Sequence, residues 1–223
     1  MSAVRREVTN ILDAQGLLGE TGRAICSGWD SWRPGPYLLL GVNPGGRHPQ
    51  TIAEHLDEVQ DHWSAYTSET PHPAVRQQAV NIANVLVGAV EDLPSSNVVF
   101  IKSKNLETLR ATHGNIPRLF DRCWPVLQWM LRTVRPKFIL SMGMSNDASA
   151  YGLLARRSHP GPTGWSQHDD VGMKSCRVIL DLGDGTTLTS NLIGFPHATR
   201  NGSTGARWDP STQLPRLREL VRG

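Results

Sequence analysis

The chain has 223 residues, 39% of them hydrophobic and 19% charged, which is ordinary for a globular protein. That length is enough for one well-cored α/β domain and does not require two. The net charge of +3 permits DNA binding, but many proteins that never touch nucleic acid share it. No apolar run approaches the roughly 20 residues of a membrane span, and the N-terminus lacks the apolar core of a signal peptide, so we expect a cytoplasmic protein that makes no membrane contact.

The N-terminal half is predicted to alternate helices and strands. Apolar residues at helical spacing predict a first helix at about 3–18, and an apolar run predicts a first strand at 37–41. Helical patterns follow at 51–66 and from Pro73 to about residue 93, and a second strand is expected at 97–101.

The C-terminal half continues this alternation and ends in a hairpin and a closing helix. An apolar stripe at intervals of three and four residues predicts a core-facing helix at 116–134. The remaining predictions are a strand at 137–142, a helix at 148–156, a mobile loop at 157–172, hairpin strands at 176–182 and 186–189, a last strand at 191–194 and a helix at about 210–222. This order predicts a single α/β domain, with a three-layer α/β/α arrangement around a mostly parallel sheet.

Two segments rich in Gly and Pro follow predicted strands, and each carries a polar side chain. Asn43 lies in GVNPGG at 41–46, directly after the first strand, and His197 lies in FPHATRNGS at 195–203, after the last strand. In open α/β sheets, ligands bind at the carboxyl edge of the strands. The two segments therefore predict a two-residue active site at that edge.

The same segments resemble the two motifs of the uracil-DNA glycosylase superfamily. GVNPGG is similar to the GxNPG motif of the mismatch-specific and single-strand-selective branches, and HATRNGS resembles the HPSPRNP-type segment of the single-strand-selective branch. A further stretch, RPKFILSMG at 135–143, resembles the RPKVIVALG strand of these enzymes. The resemblance covers roughly residues 37–205 and implies the superfamily's fold and a monofunctional DNA glycosylase activity.

An asparagine and a histidine suit the hydrolysis of an N-glycosidic bond. The transition state has an oxocarbenium-like sugar and a departing base anion, so a positioned water and a hydrogen-bond donor at the base oxygen both lower the barrier. The Asn43 amide can position the water through its oxygen, and His197 can donate to O2 of the base. We therefore expect these two residues to be catalytic.

DNA is the partner that the resemblance implies. A base inside a duplex is out of reach, so such an enzyme acts on single strands or flips its target out. The superfamily fills the vacated space from the second segment, where Arg200 and Asn201 are both candidates because Arg200 stands three residues after His197 rather than the usual four. The residues expected to contact the base or the DNA are Gly41, Val42, Pro44, Gly45, Gly46, Phe100, Lys102, Ser103, Asn105, Thr199, Arg200 and Asn201.

The excised base depends on a position where the single-strand-selective branch carries a pyrimidine-reading asparagine. The strand at 97–101 brings Ser103 to this place, with Asn105 as the alternative if the strand end is displaced by two. A hydroxyl matches O4 and N3–H of uracil less completely than an amide does, so we expect uracil not to be the best substrate. Superfamily members also act on xanthine, hypoxanthine and hypermodified cytosines, the last in defence against bacteriophage.

Aromatic and basic residues near the two segments are further candidates for DNA contact. Trp63 and Tyr66 either stack on a base or belong to the core. The basic residues close in sequence to the segments are Arg47, Lys102, Lys104, Arg110, Arg200 and Arg207.

No metal or cofactor is expected. Cys26, Cys123 and Cys176 are scattered without a CxxC pair, so the iron–sulfur cluster that some superfamily branches hold on four cysteines is excluded. The histidine spacings do not suggest a metal site either. We expect a monomer.

Two other functions compete with the glycosylase hypothesis. One is a catalytically inactive, nucleic-acid-binding relative, against which the presence of both Asn43 and His197 weighs. The other is a nucleotide or nucleoside hydrolase that uses the same Gly-rich edge. GVNPGG is neither GxGxxG nor a P-loop, so dinucleotide or triphosphate binding finds no support.

Overall fold

The computed structural model describes residues 3–45, 49–68, 72–146, 148–199 and 207–222. Within these residues one sheet contains the strands β1 Tyr37–Gly41, β2 Ser95–Asn97, β3 Phe138–Met142, β4 Thr163–His168, β5 Met173–Asp181 and β6 Thr187–Phe195. Their order is β2-β1-β3-β6-β5-β4. The first four strands in this order run parallel, and β5 and β4 extend the sheet antiparallel beyond β6.

Helices pack on both faces of the sheet. One face carries α1 Ala3–Ala14, α2 Ile52–Glu58, α5 Leu106–His113, α6 Ile116–Val134 and α7 Ala150–Arg157, and the other carries α3 Ala65–Ser68, α4 Pro73–Leu86 and α8 Pro210–Arg222. Successive strand residues point to opposite faces, so Leu38 and Leu40 join the first core and Leu39 joins the second. The predicted three-layer α/β/α fold with a mostly parallel sheet is confirmed.

The helices predicted at 51–66 and 73–93 are wrong in their extent. A capping box between Thr51 and Glu54 starts α2 where the sequence predicts it, but α2 ends at Glu58. The following segment instead pairs with the chain around Gly28, whose backbone N–H donates to the Trp63 carbonyl at 2.6 Å. The later helix α4 also stops earlier, at Leu86.

The second strand lies two residues before its predicted start. β2 spans Ser95–Asn97, and Asn97 is the register partner of Gly41. The chain keeps following β1 past this point, because the Val98 and Val99 backbone N–H groups donate to the carbonyls of Gly41 and Val42 at 3.0 and 2.8 Å. The helix α5 that comes next was not predicted.

The stretch predicted as a mobile loop, 157–172, contains the edge strand β4. Its Gln167 and His168 pair with Lys174 and Met173 of β5. Five of its six residues are exposed, so the sequence lacks the apolar alternation of a half-buried strand. The hairpin prediction is confirmed, although its second strand and the last predicted strand form one continuous β6.

The buried His55 should make stability depend on pH. Its Nε2 lies 2.9 Å from the Ile25 carbonyl oxygen. Burial, with Arg23 nearby, lowers the pKa of His55 from 6.5 to about 4. Because the pKa of His55 is lower in the folded state than in the unfolded state, its contribution to the free energy of unfolding is fully present above pH 6.5. As the pH falls towards 4, the free energy of unfolding decreases by about 3 kcal/mol through this residue.

Denaturant unfolding between pH 7.5 and 4, of the wild type and of His55→Gln, measures this contribution. We expect the wild type to lose more free energy of unfolding than the variant as the pH falls. His62→Gln, at an exposed histidine, should behave like the wild type. Equal losses in the wild type and His55→Gln would contradict the prediction.

Candidate active site

The carboxyl ends of β1, β3 and β6 lie side by side at one edge of the sheet. Leu40 is the register partner of Ser141, and Ser141 is the partner of Gly194. Since neighbouring strands are about 4.8 Å apart, the ends of β1 and β6 are separated by about 10 Å, with β3 between them. The loops that carry Asn43 and His197 therefore leave the same edge.

The Asn43 amide is oriented by the loop that carries it. The side chain is half-buried, and its Nδ2 donates to the Pro44 carbonyl at 3.2 Å and to the Ser103 carbonyl at 3.5 Å. Both bonds use the donor end of the amide and neither involves Oδ1, which is its acceptor end.

The His197 ring is oriented by Thr199. Nδ1 of His197 lies 2.9 Å from Thr199 Oγ1 and accepts from the Thr199 backbone N–H at 3.3 Å. A neutral imidazole whose Nδ1 accepts carries its proton on Nε2. The ring lies next to the end of β3, because a β-carbon on Gly143 would be 4.0 Å from His197 Cδ2.

A buried glutamine on α4 holds the His197 loop from both sides. Gln78 has an exposed fraction of 0%. Its Nε2 donates to the Pro196 carbonyl at 2.8 Å, and its Oε1 accepts from the Ala198 backbone N–H at 3.2 Å. Gln78 is therefore a positioning residue for His197. Sequence reasoning missed it, since a glutamine within a helix gives no local signal of a distant partner.

Two glycines of the first segment have different physical requirements. A β-carbon on Gly41 would lie 2.5 Å from Oδ1 of the buried Asn97, so a larger residue there would have to displace that amide. A β-carbon on Gly45 would meet no atom of the described residues within 4 Å, and Gly45 is exposed. Among the described residues, no packing contact therefore requires a glycine at this position.

The segment after β2 brings Ser103 to the Asn43 loop. The Ser103 backbone N–H donates to the Pro44 carbonyl at 3.2 Å, and its side-chain Oγ donates to the Asn105 carbonyl at 2.7 Å. Lys102 is half-buried beside it. Of the two candidate base readers, Ser103 is therefore the one in contact with the loop of Asn43.

Two residues expected to contact the base have other roles in the fold. Phe100 has an exposed fraction of 0% and belongs to the core, so its side chain does not reach the surface. Asn105 is the N-cap of α5, and its Oδ1 accepts from the Thr108 backbone N–H at 2.7 Å. Val42 is half-buried and packs against the core, while Pro44 is buried.

The aromatic and basic candidates divide between core and surface. Tyr66 is 6% exposed and belongs to the second core, whereas Trp63 is half-buried with its ring centroid 5.6 Å from that of His55. Of the basic candidates, Lys104, Arg110 and Arg207 have exposed side chains. The expected site residues Gly46, Arg200 and Asn201, together with Arg47, lie outside the described residues.

Within the described part of the chain, no group of three or more His, Cys, Asp or Glu side chains is arranged to hold a metal ion. None of the helices there is both long and apolar enough to cross a membrane.

Comparison with known proteins gives no family assignment. No protein-family model matches the chain, and no curated protein sequence matches it significantly.

Proposed function

We propose that this protein is a monofunctional DNA glycosylase that hydrolyses the N-glycosidic bond of a flipped-out base and leaves an abasic site. It acts on DNA as a monomer in the cytoplasm. The observation that carries the proposal is that Asn43 and His197 leave the same sheet edge on either side of β3. An acceptor amide and a donor imidazole on either side of one space are the two groups that this hydrolysis needs.

The reaction follows from the two orientations. Oδ1 of Asn43 accepts a hydrogen bond from a water and holds it against C1′ of the sugar. As the C1′–N bond breaks, Nε2–H of His197 donates to O2 of the base, where negative charge develops. The water oxygen then bonds to C1′ and its proton is released, ultimately to the base. The oxocarbenium ion is a strong electrophile, so a neutral water suffices and no metal or covalent nucleophile is required.

The test is base excision from synthetic oligonucleotides. Single-stranded and duplex DNA that carries one uracil, xanthine, hypoxanthine or modified cytosine is incubated with the protein and then treated with alkali, which cleaves the strand at abasic sites. We expect strand cleavage that depends on the protein and on the target base. Binding without cleavage on every substrate would favour an inactive relative, and release of bases from free nucleosides alone would favour a nucleoside hydrolase.

Specificity should depend on Ser103. Its hydroxyl proton is donated to the Asn105 carbonyl, so Oγ remains an acceptor for the substrate. An acceptor suits the exocyclic amino group of a cytosine-type base and leaves O4 of uracil without a donor, which costs about 1–3 kcal/mol. We therefore expect a modified cytosine to be cleaved faster than uracil in the same DNA.

Single-turnover rates on a panel of uracil, xanthine, hypoxanthine, and hydroxymethylated and glucosylated cytosine measure this preference. Ser103→Asn, which supplies an amide donor, should raise the rate on uracil relative to the other bases. If uracil in single-stranded DNA is the fastest substrate by about tenfold or more, the assignment of Ser103 fails, since that margin is the cost of the missing donor.

A further inference from the structure

A cleft on the α7 face of the sheet lies beside the candidate active site without being part of it. Its volume is about 580 Å³, within the roughly 300–1,000 Å³ that ligand sites occupy. The loop after β3, helix α7 and strands β4 and β5 line it. The side chains that matter for its chemistry are Asn146, Tyr151, Arg156, Trp165, Gln167 and Lys174.

The aromatic wall of the cleft is unusual in its exposure. Trp165 is 58% exposed, and among the described residues it alone is a large hydrophobic side chain classed as exposed. Its ring centroid is 6.0 Å from that of the buried Tyr151, with an angle of 63° between the ring planes. This edge-on contact steadies the tryptophan while it remains open to solvent, as a stacking platform requires.

Two cationic side chains, Arg156 and Lys174, line the cleft. The described lining residues include no carboxylate. Lys174 is half-buried and lines the cleft, so the cleft includes a partly buried cation. Aromatic and cationic groups together suit a ligand that contains both a base and a phosphate.

Residues that line the cleft contact or pair with the strand that carries His197. Lys174 is the register partner of Gly194, which precedes His197 by three residues. A β-carbon on Gly194 would lie 2.8 Å from Cδ2 of Tyr151, so the tyrosine ring rests directly on the end of β6. Asn146 follows Gly143, the residue next to the His197 ring, by three positions.

We propose that this cleft binds single-stranded DNA continuous with the nucleotide at the Asn43–His197 site, with a base stacked on Trp165 and a phosphate near Lys174 and Arg156. The assignment of DNA rests on the proposed function, whereas the stacking and charge chemistry rest on the cleft itself. The cleft would then hold the strand on one side of the target base while the loops act on the glycosidic bond.

The first test removes the stacking platform. Binding of a fluorescent ten-nucleotide oligodeoxythymidylate is measured by anisotropy with the Asn43→Ala protein, so that no base is removed during the titration. Adding Trp165→Ala should weaken binding about tenfold, the usual loss for one stacked base, and Trp165→Phe should restore most of it. Trp165 is exposed, so neither change should unfold the protein. Unchanged affinity in Trp165→Ala would overturn the proposal.

The second test removes charge. Lys174→Ala should weaken binding and reduce the slope of log affinity against log salt by about 0.7, the value for one phosphate on a single strand. Lys137→Ala is the matched control, because Lys137 is exposed and directly precedes β3 at the opposite edge of the sheet. Equal salt slopes for the two variants would contradict a phosphate contact at Lys174.

These measurements separate the cleft from the catalytic proposal. Loss of oligonucleotide binding in Trp165→Ala supports the cleft even if no substrate base is ever excised. If bases are excised but Trp165→Ala binds the oligonucleotide as well as before, the proposal for the cleft is wrong and the proposed glycosylase activity stands. Equal affinity for thymidine monophosphate would reject a strand in favour of a free nucleotide. If Trp165→Ala instead turned a dimer into a monomer in sedimentation, with unchanged DNA affinity, the surface would be a protein interface.

Discussion

Replacing Asn43 by alanine should lower the single-turnover rate of base excision at least about a hundredfold, the loss that accompanies a mispositioned reactant. The amide is anchored through Nδ2 to the carbonyls of Pro44 and Ser103, so its oxygen is pre-set to hold the attacking water. A water that attacks C1′ contributes to the transition state and little to ground-state binding. We therefore expect the affinity for DNA to change by no more than a few-fold.

Anisotropy binding and single-turnover cleavage, measured on the same oligonucleotide, separate the two effects. Asn191→Ala is a matched control, since Asn191 is an exposed asparagine on β6 that pairs with Phe138, at the end of β3 away from the site. It should cleave at the wild-type rate. Near-normal cleavage by Asn43→Ala would show that the amide does not position the water, and a parallel loss of affinity would point to a binding role instead.

The central strands β1 and β3 were predictable because they are buried on both faces. Their runs 38–40 and 138–140 are buried and apolar throughout, and the helix at 116–134 repeats its apolar residues at helical spacing. The edge strand β4 was not predictable in this way. Its side chains are mostly exposed, and it is held by pairing with β5 rather than by any local preference.

The candidate site was predictable only where one loop carries the signal. Asn43 and His197 each stand in a Gly- and Pro-rich segment after an apolar run, which is enough to nominate them. Gln78 is separated from Pro196 by 118 residues, and only the packing of α4 beneath the β6 loop brings them together. Phe100 is ambiguous in the sequence, because an aromatic residue near a strand end suits a core as well as a base, and in the structure its side chain is buried in the core.

Replacing His197 by alanine should lower the cleavage rate by about 10²–10³, the usual loss when one donor to a developing oxyanion is removed. The contacts of Nδ1 with Thr199 fix the proton on Nε2, so the donor is set before the charge appears. His197→Gln retains an N–H donor and should recover part of the rate. His159→Ala, at an exposed histidine, is the matched control and should cleave normally.

The acidity of the leaving base tests whether His197 stabilises the departing anion. 5-Fluorouracil forms a more stable anion than uracil, so it needs less help from a donor. The ratio of wild-type to His197→Ala rates should therefore be smaller on 5-fluorouracil than on uracil in identical DNA, whereas the ratio for Asn43→Ala should be similar on both. If the His197→Ala ratio were the same for the two bases, the imidazole would not act on the leaving group. The lower cleavage rate of His197→Ala would then come from a disturbed loop, whose backbone Gln78 binds at Pro196 and Ala198.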